Sequence, residues 1–170
     1  HIKLSLEEGI ATLVISKPPV NALSSKVFNE IRETLASLHQ NPEARAAILT
    51  GEGQTFAAGA DINEILTITS ASVKDMLKRG HEFMAFVENS PLPVIAAVNG
   101  ACIGGGLELI LSCHLRLASD KARFGLPEIG LGIIPGLGGT QRLARLVGFT
   151  RAAELILTGD LISAPVAAQW

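Results

Sequence analysis

The sequence is short of the features that mark several classes of protein. It has two cysteines, Cys102 and Cys113, in no CxxC spacing, so neither a disulfide framework nor a zinc ribbon is indicated and a reducing compartment fits best. Its 14 Lys and Arg residues form no basic cluster, and the formal net charge is −2. Nucleic acid is therefore a weak hypothesis for a partner. Apolar stretches break off well before the ~18 residues of a membrane-spanning helix, so we expect no membrane partner.

Several nucleotide, hydrolase and metal motifs are also missing. There is no G-x-G-x-x-G, no Walker-type G-x-x-x-x-G-K-[ST] and no G-x-S-x-G, which argues against dinucleotide binding, an NTPase and a serine hydrolase. We expect no metal site either, because no metal-ligand spacing connects the four histidines, His1, His39, His81 and His114.

What the chain does have is a sizeable apolar fraction arranged in alternating strands and helices. At 170 residues and 48% hydrophobic composition it can form one domain, residues 1–170, with a real core. The pattern predicts an α/β fold, in which apolar strands followed by small-residue loops and helices raise the possibility of a repeated ββα unit. The predicted strands are 2–6, 10–16, 46–49, 93–98 and 114–118. The predicted helices are 24–39, 72–88, 105–111, 139–146 and 150–158, with Gly80 as a weak point in the second.

Two glutamates stand out because each follows a turn rich in glycine or proline. Glu108 ends GACIGGGLE and precedes an apolar run, an environment that raises the pKa of a carboxyl group, and Glu128 lies in FGLPEIGLG. Taken singly, a glutamate is more often a solvated surface residue, and a glycine triplet is more often a tight turn. Together with the small-residue loops 55–62 and 100–108, which can offer backbone N–H groups to negative charge, the pair predicts an acid/base enzyme.

Four segments then resemble the crotonase (enoyl-CoA hydratase/isomerase) superfamily, in order and in spacing. They are FAAGADI (56–62), PVIAAVNGACIGGGLEL (93–109), FGLPEIGLGIIPGLGGTQRL (124–143) and LTGDLISA (157–164), and PPVNALS (18–24) matches the start of the first acyl-CoA-binding loop. The resemblance implies a crotonase-like ββα spiral core. Because crotonase domains continue beyond the point matched by Trp170, we expect the chain to be a fragment without the C-terminal helical lid.

The resemblance also implies a role for individual positions. The N–H groups of Ala60 and Gly105 would form an oxyanion hole around the thioester carbonyl, with Gly105 at the start of a helix whose dipole favours negative charge. Glu108 would help to deprotonate water as it adds to Cβ of a 2-enoyl-CoA, and Glu128 would supply the proton to Cα. The loop residues Ala58, Ile62 and Asn63 would line the coenzyme A site. Asp61 shares that loop, and we expect it to cap the next helix.

Hydration of 2-enoyl-CoA, as in fatty-acid oxidation, is therefore the leading hypothesis. Alternatives are an isomerase, which needs only Glu128, another acyl-CoA dehydratase, decarboxylase or thioester hydrolase on this fold, and a non-catalytic, RNA-associated module. The resemblance further implies no separate cofactor, since coenzyme A is part of the substrate, and a homotrimer or dimer of trimers. It implies a cytoplasmic location, or a mitochondrial or peroxisomal one in a eukaryote.

Overall fold

The computed structural model describes residues 1–170, which form two β-sheets and the helices packed around them. The strands are β1 (Ile2–Glu7), β2 (Ile10–Ile15), β3 (Ala46–Gly51), β4 (Thr55–Ala57), β5 (Val94–Val98), β6 (Ala101–Ile103), β7 (Leu115–Ala118), β8 (Arg123–Gly125) and β9 (Ile162–Ser163). The α-helices are α1 (Ser25–His39), α2 (Ile62–Ile65), α3 (Val73–Glu88), α4 (Gly105–Leu111), α5 (Gly139–Val147), α6 (Phe149–Thr158) and α7 (Ala164–Ala167). A 3-10 helix covers Pro127–Leu131.

The first sheet has five strands in the order β1-β2-β3-β5-β7. The hairpin β1–β2 is antiparallel, as predicted, and the remaining neighbours are parallel. Strands β3 and β5 bury alternate residues and leave the others half-buried, which fits strands covered on both faces.

The second sheet has four short strands in the order β4-β6-β8-β9. The loops predicted over 55–62 and 100–108 are therefore partly strand, because Thr55–Ala57 pairs with Ala101–Ile103. The prediction missed these strands because two or three residues are too few to show an alternating pattern. Strands β6 and β8 are also parallel, whereas β9 pairs antiparallel with β8.

A unit of two consecutive strands repeats along the chain and positions the segments that follow it. In β3–β4, β5–β6 and β7–β8, the first strand lies in the five-stranded sheet and the second in the four-stranded sheet. A helix follows each unit: α2, α4 and the 3-10 helix, respectively. Because the second strands of these units are parallel neighbours, the segments that follow them leave the sheet along the same edge. The predicted α/β fold with repeated ββα units is confirmed.

The helices follow the predicted apolar patterns. Helix α1 buries Val27, Ile31, Leu35 and Leu38, and Ser24 is its N-cap, accepting a hydrogen bond from the backbone N of Val27 at 3.4 Å. In α3, Gly80 is a point of close approach, because a Cβ there would collide with the Leu137 side chain. The weak point predicted in this helix thus lets α3 lie against the turn before α5.

Candidate active site

Helix α4 carries Glu108 into the interior of the protein. All seven residues of the helix are buried, and the glutamate itself is 2% exposed. The helix begins after Gly104, whose φ of +54° is a backbone conformation that residues with a Cβ rarely adopt. A charged residue so deep in the protein must find polar partners, because burial without them costs several kcal/mol.

The partners of Glu108 are two backbone N–H groups in the turn before α5. The nitrogens of Leu137 and Gly139 both donate to Oε1 at 2.7 Å, while Oε2 accepts no hydrogen bond from the protein. Burial raises the pKa of Glu108 to about 7, and the two N–H bonds oppose that rise. One carboxylate oxygen is thus fixed and the other is available to a water molecule or a substrate.

Glu128 lies near Glu108, on the 3-10 helix. Its negative charge raises the pKa of Glu108, although burial is the larger cause of that rise. Burial also raises the pKa of Glu128. Its Oε2 is fully buried without a hydrogen-bond partner, and its Oε1 lies 3.0 Å from where a Cβ would stand on Gly104. An unpartnered buried carboxyl oxygen calls for a ligand, a water molecule or a proton.

The direction of the Ala60 amide is set by Leu23. The nitrogen of Leu23 donates to the carbonyl of Gly59 at 2.8 Å, and the nitrogen of Asp61 donates to the carbonyl of Leu23 at 3.2 Å. In a parallel bridge these bonds leave the N–H of the middle residue, Ala60, directed to the opposite side. No backbone or side-chain group of the protein accepts a hydrogen bond from it.

The second free amide, that of Gly105, lies beside the first. A Cβ on Gly105 would stand 3.5 Å from the nitrogen of Ala60, and one on Gly59 would stand 3.9 Å from the nitrogen of Gly105. The Gly105 N–H belongs to the first turn of α4 and is therefore not used by the helix. Two neighbouring N–H groups without acceptors form a pocket suited to an oxyanion.

The remaining predicted site residues lie around Ala60. Asp61 is the N-cap of α2, because its Oδ1 accepts a hydrogen bond from the nitrogen of Asn63 at 3.0 Å, so the predicted capping role is confirmed. Its Oδ2 pairs with Lys17 at 2.6 Å, and this bond holds the pKa of Asp61 below its usual value. The side chains of Ile62 and Asn63 face solvent, and Ala58 is half-buried. Their contact with coenzyme A stays a prediction.

Sequence reasoning missed the residues that hold Glu108. Gly139 opens α5 and donates to Glu108, so the N-terminus of this predicted helix faces the site. Leu137 and Arg142 were not singled out. The double glycine that opens α5 is the available signal, since glycines at a helix start let a ligand or side chain approach the free N–H groups.

Other parts of the molecule carry no comparable arrangement. A cavity of about 380 Å³ on the other side of α4 is lined by 15 apolar side chains and Arg116, and it contains none of the predicted site residues. No three His, Cys, Asp or Glu side chains gather as they would around a metal ion. Burial raises the pKa of Cys113 to about 12, and that of Cys102 also lies well above its usual value. None of the helices has the length and apolar character needed to cross a membrane.

Comparison with known proteins gives a family match over nearly all of the chain. Residues 5–170 match the family described as enoyl-CoA hydratase/isomerase. A probable enoyl-CoA hydratase of Bacillus subtilis is 45% identical over 163 residues, covering 95% of this chain and 63% of the relative. A crotonyl-CoA hydratase of Syntrophomonas wolfei is 42% identical over 166 residues, covering 96% of this chain and 64% of the relative.

Solved structures agree with the sequence relatives. The crystal structure of an enoyl-CoA hydratase from Bacillus anthracis superposes with a TM-score of 0.93 at 40% identity, covering 99% of this chain and 66% of that one. The chain thus spans a little under two thirds of the length of the curated relatives it matches.

Proposed function

The chain belongs to the enoyl-CoA hydratase/isomerase family, and we propose that the protein adds water syn across the double bond of 2-enoyl-CoA thioesters. The geometry of two glutamates supports the proposal independently of family membership. The buried Glu108 has one oxygen fixed by two amides and the other free, and a second glutamate with an unpartnered buried oxygen lies nearby. This is the equipment for activating a water molecule and delivering a proton.

The two free amides account for activation of the substrate. In the proposed complex, the N–H groups of Ala60 and Gly105 bind the thioester oxygen, so that the negative charge of an enolate is stabilised as it forms. Removing one donor of such a site typically lowers kcat by about 10²–10³. The positions of both donors depend on the backbone alone, since neither residue has a polar side chain.

The two glutamates account for the protons. Water adds through its oxygen to Cβ of the substrate and loses a proton to Oε2 of Glu108, while Glu128 gives its proton to Cα. A pKa of about 7 leaves a large fraction of Glu108 ionised at neutral pH, as a base requires, and a raised pKa favours a proton on Glu128. Proton exchange between the two carboxyls, or with water, then restores the starting state.

Hydration fits these residues better than isomerisation does. Moving a double bond along the acyl chain needs one group that removes and returns a proton, and Glu128 alone would suffice. Glu108 is a second carboxyl group, it is only 2% exposed, and burying it costs the protein the hydration of a charge. A reaction that must also deprotonate water explains why it is there.

Substrate, assembly and location follow as parts of the same proposal. Coenzyme A enters as part of the substrate and leaves with the product, with the loop of Ala58, Asp61, Ile62 and Asn63 beside it, and no separate cofactor is needed. The family resemblance implies a homotrimer or dimer of trimers, and large exposed apolar side chains support an interface of some kind, among them Leu131 at 63%, Ile134 at 70% and Phe149 at 81%. We expect a cytoplasmic location, or a mitochondrial or peroxisomal one in a eukaryote, where acyl-CoA esters are oxidised.

Two substitutions test the proposed reaction. The loss of crotonyl-CoA absorbance should be fast in the wild-type protein and about 10²–10⁴-fold slower in Glu108→Gln and in Glu128→Gln, because each variant lacks one proton-transfer group. Glu33→Gln, on the exposed face of α1, is the matched control and should retain the wild-type rate. Wild-type rates in both active-site variants would disprove the two-glutamate mechanism.

A further inference from the structure

The turn that holds Glu108 is itself held by a side chain of α5. The backbone of Leu137 makes two hydrogen bonds: its nitrogen donates to Oε1 of Glu108 at 2.7 Å, and its carbonyl oxygen accepts from Nη1 of Arg142 at 3.1 Å. Arg142 also lies against Gly138, where a Cβ would collide with the same Nη1. The guanidinium therefore lies next to the backbone of Leu137 and Gly138, the two residues of the turn that precede Gly139.

The other side of the guanidinium is fixed by α3. Its Nη2 donates to Oε2 of Glu88 at 2.8 Å, and its Nε donates to the same oxygen at 3.3 Å. The Arg142 side chain is 17% exposed and that of Glu88 is 51% exposed, so the arginine is the more enclosed partner. A planar group held at three nitrogens has little freedom to turn, unlike the single ammonium of a lysine.

We propose that Arg142 is a positioning residue for Glu108, which it serves by fixing the turn 137–139 so that both amides hold Oε1 and leave Oε2 free. Glu88 orients the guanidinium. The role rests on the proposed function to the extent that Glu108 acts as the base. The hydrogen-bond chain from Glu88 through Arg142 and Leu137 to Glu108 is a feature of the folded protein whatever the substrate.

The charge of Arg142 acts in the same direction as its hydrogen bonds. It lowers the pKa of Glu108 and so opposes the effect of burial, whereas Glu128, on the 3-10 helix, raises it. The other titratable group facing this turn is His81 of α3, whose Nδ1 lies 3.9 Å from where a Cβ would stand on Gly138. Removing Arg142 should raise the pKa of Glu108, both through lost charge and through loosened N–H bonds.

The first test needs no substrate. Carbon-13 NMR of labelled glutamate, assigned with Glu108→Gln, follows the titration of the carboxyl group, and amide hydrogen exchange follows the N–H groups of Leu137 and Gly139. In Arg142→Gln, the apparent pKa of Glu108 should rise by roughly 0.5 to 1, and both amides should exchange at least about tenfold faster. Arg145→Gln, exposed on the same helix, is the control and should change neither. A wild-type pKa and wild-type exchange in folded Arg142→Gln would overturn the proposal.

A lysine variant separates charge from position. Arg142→Lys should bring the pKa of Glu108 back toward the wild-type value but leave the two amides exchanging fast and kcat about tenfold low, with KM nearly unchanged. Wild-type exchange and kcat in this variant would overturn the positioning role. If Arg142→Gln does not fold, the exchange measurement on the lysine variant decides. If the wild-type protein hydrates no enoyl-CoA, the proposed function fails, while the NMR results still decide the role of Arg142.

Discussion

The backbone nitrogen of Gly139 lies 2.7 Å from Oε1 of Glu108, so the first peptide of α5 holds a carboxyl group that belongs to α4. This bond and the matching one from Leu137 make it possible to bury a glutamate at the centre of the site. They do not compensate fully for the lost hydration, because the pKa of Glu108 still rises to about 7. The carboxyl group of Glu108 thus has a pKa near neutral pH, and its ionisation at higher pH costs the protein stability.

That cost should be visible as a dependence of unfolding on pH. The folded-state pKa of Glu108 lies above its ordinary value of 4.5, so its stabilising contribution is complete below pH 4.5 and is lost as the pH rises through 7. Glutamine cannot ionise and still offers an oxygen to the two amides. As the pH rises from 4.5 to 7, the wild type should therefore lose stability that Glu108→Gln keeps. The free energy of unfolding of the variant, measured in urea, should increase relative to that of the wild type by on the order of 3 kcal/mol.

The exposed Glu33→Gln variant is the control for that experiment. It should follow the wild-type curve at every pH, since no buried carboxyl group is removed. A constant difference between Glu108→Gln and the wild type would mean that Glu108 titrates at its ordinary pKa in the folded protein.

The two neighbouring glycines of α4 should respond differently to alanine. A Cβ on Gly105 would meet nothing closer than 3.5 Å, so Gly105→Ala should fold with nearly the wild-type Tm. Its methyl group would nevertheless cover the Ala60 amide, and kcat/KM for crotonyl-CoA should fall by about 10²-fold. A Cβ on Gly106 would stand 2.5 Å from the carbonyl oxygen of Ala57, so Gly106→Ala should lower the Tm by several degrees.

The pair discriminates between a functional and a structural role for the glycine run. Wild-type hydration by a well-folded Gly105→Ala variant would count against an oxyanion pocket at this place. Equal loss of stability in both variants would show that the run serves packing alone.

The loop after Ala60 should depend on the cap that Asp61 provides. Asp61→Ala removes both the acceptor for the nitrogen of Asn63 and the partner of Lys17, so the Asn63 amide should exchange with solvent several-fold faster. Asp61→Asn retains an oxygen for the cap but loses the ion pair, and we expect nearly wild-type exchange, because the bond that holds the Asn63 amide is the cap bond. If the asparagine variant exchanges as fast as the alanine variant, the Lys17 pair is what orders the loop.

Much of the first sheet and of the helices could be predicted from the sequence, because their apolar residues repeat with a regular period. The hairpin β1–β2, the strand β5 and the helices α1 and α3 were found with bounds close to those observed. The second sheet could not be predicted, since strands such as Ala101–Ile103 are too short to show a period. They exist because their neighbours supply the ladder of hydrogen bonds.

The candidate site was predictable only in part, for a related reason. Glu108, Glu128 and the loop of Ala60 could be named from local sequence and family resemblance. Burial is the main cause of the raised pKa of Glu108, and the two amides that oppose it come from far along the chain, 29 residues away for Leu137 and 31 for Gly139. No local pattern connects them to α4. Only the packing of α5 and α3 brings the amides and the guanidinium to one carboxyl group.

This separation along the chain also bears on the order in which the molecule assembles. During synthesis, α4 leaves the ribosome well before the amides that will hold its carboxyl group, and an ionised glutamate resists burial without them. We therefore expect α4 to dock fully on β4 and β6 only after α5 has formed, as the closing step of folding. Pulse-labelled hydrogen exchange during refolding would test this order, since protection of the α4 amides before those of α5 would contradict it.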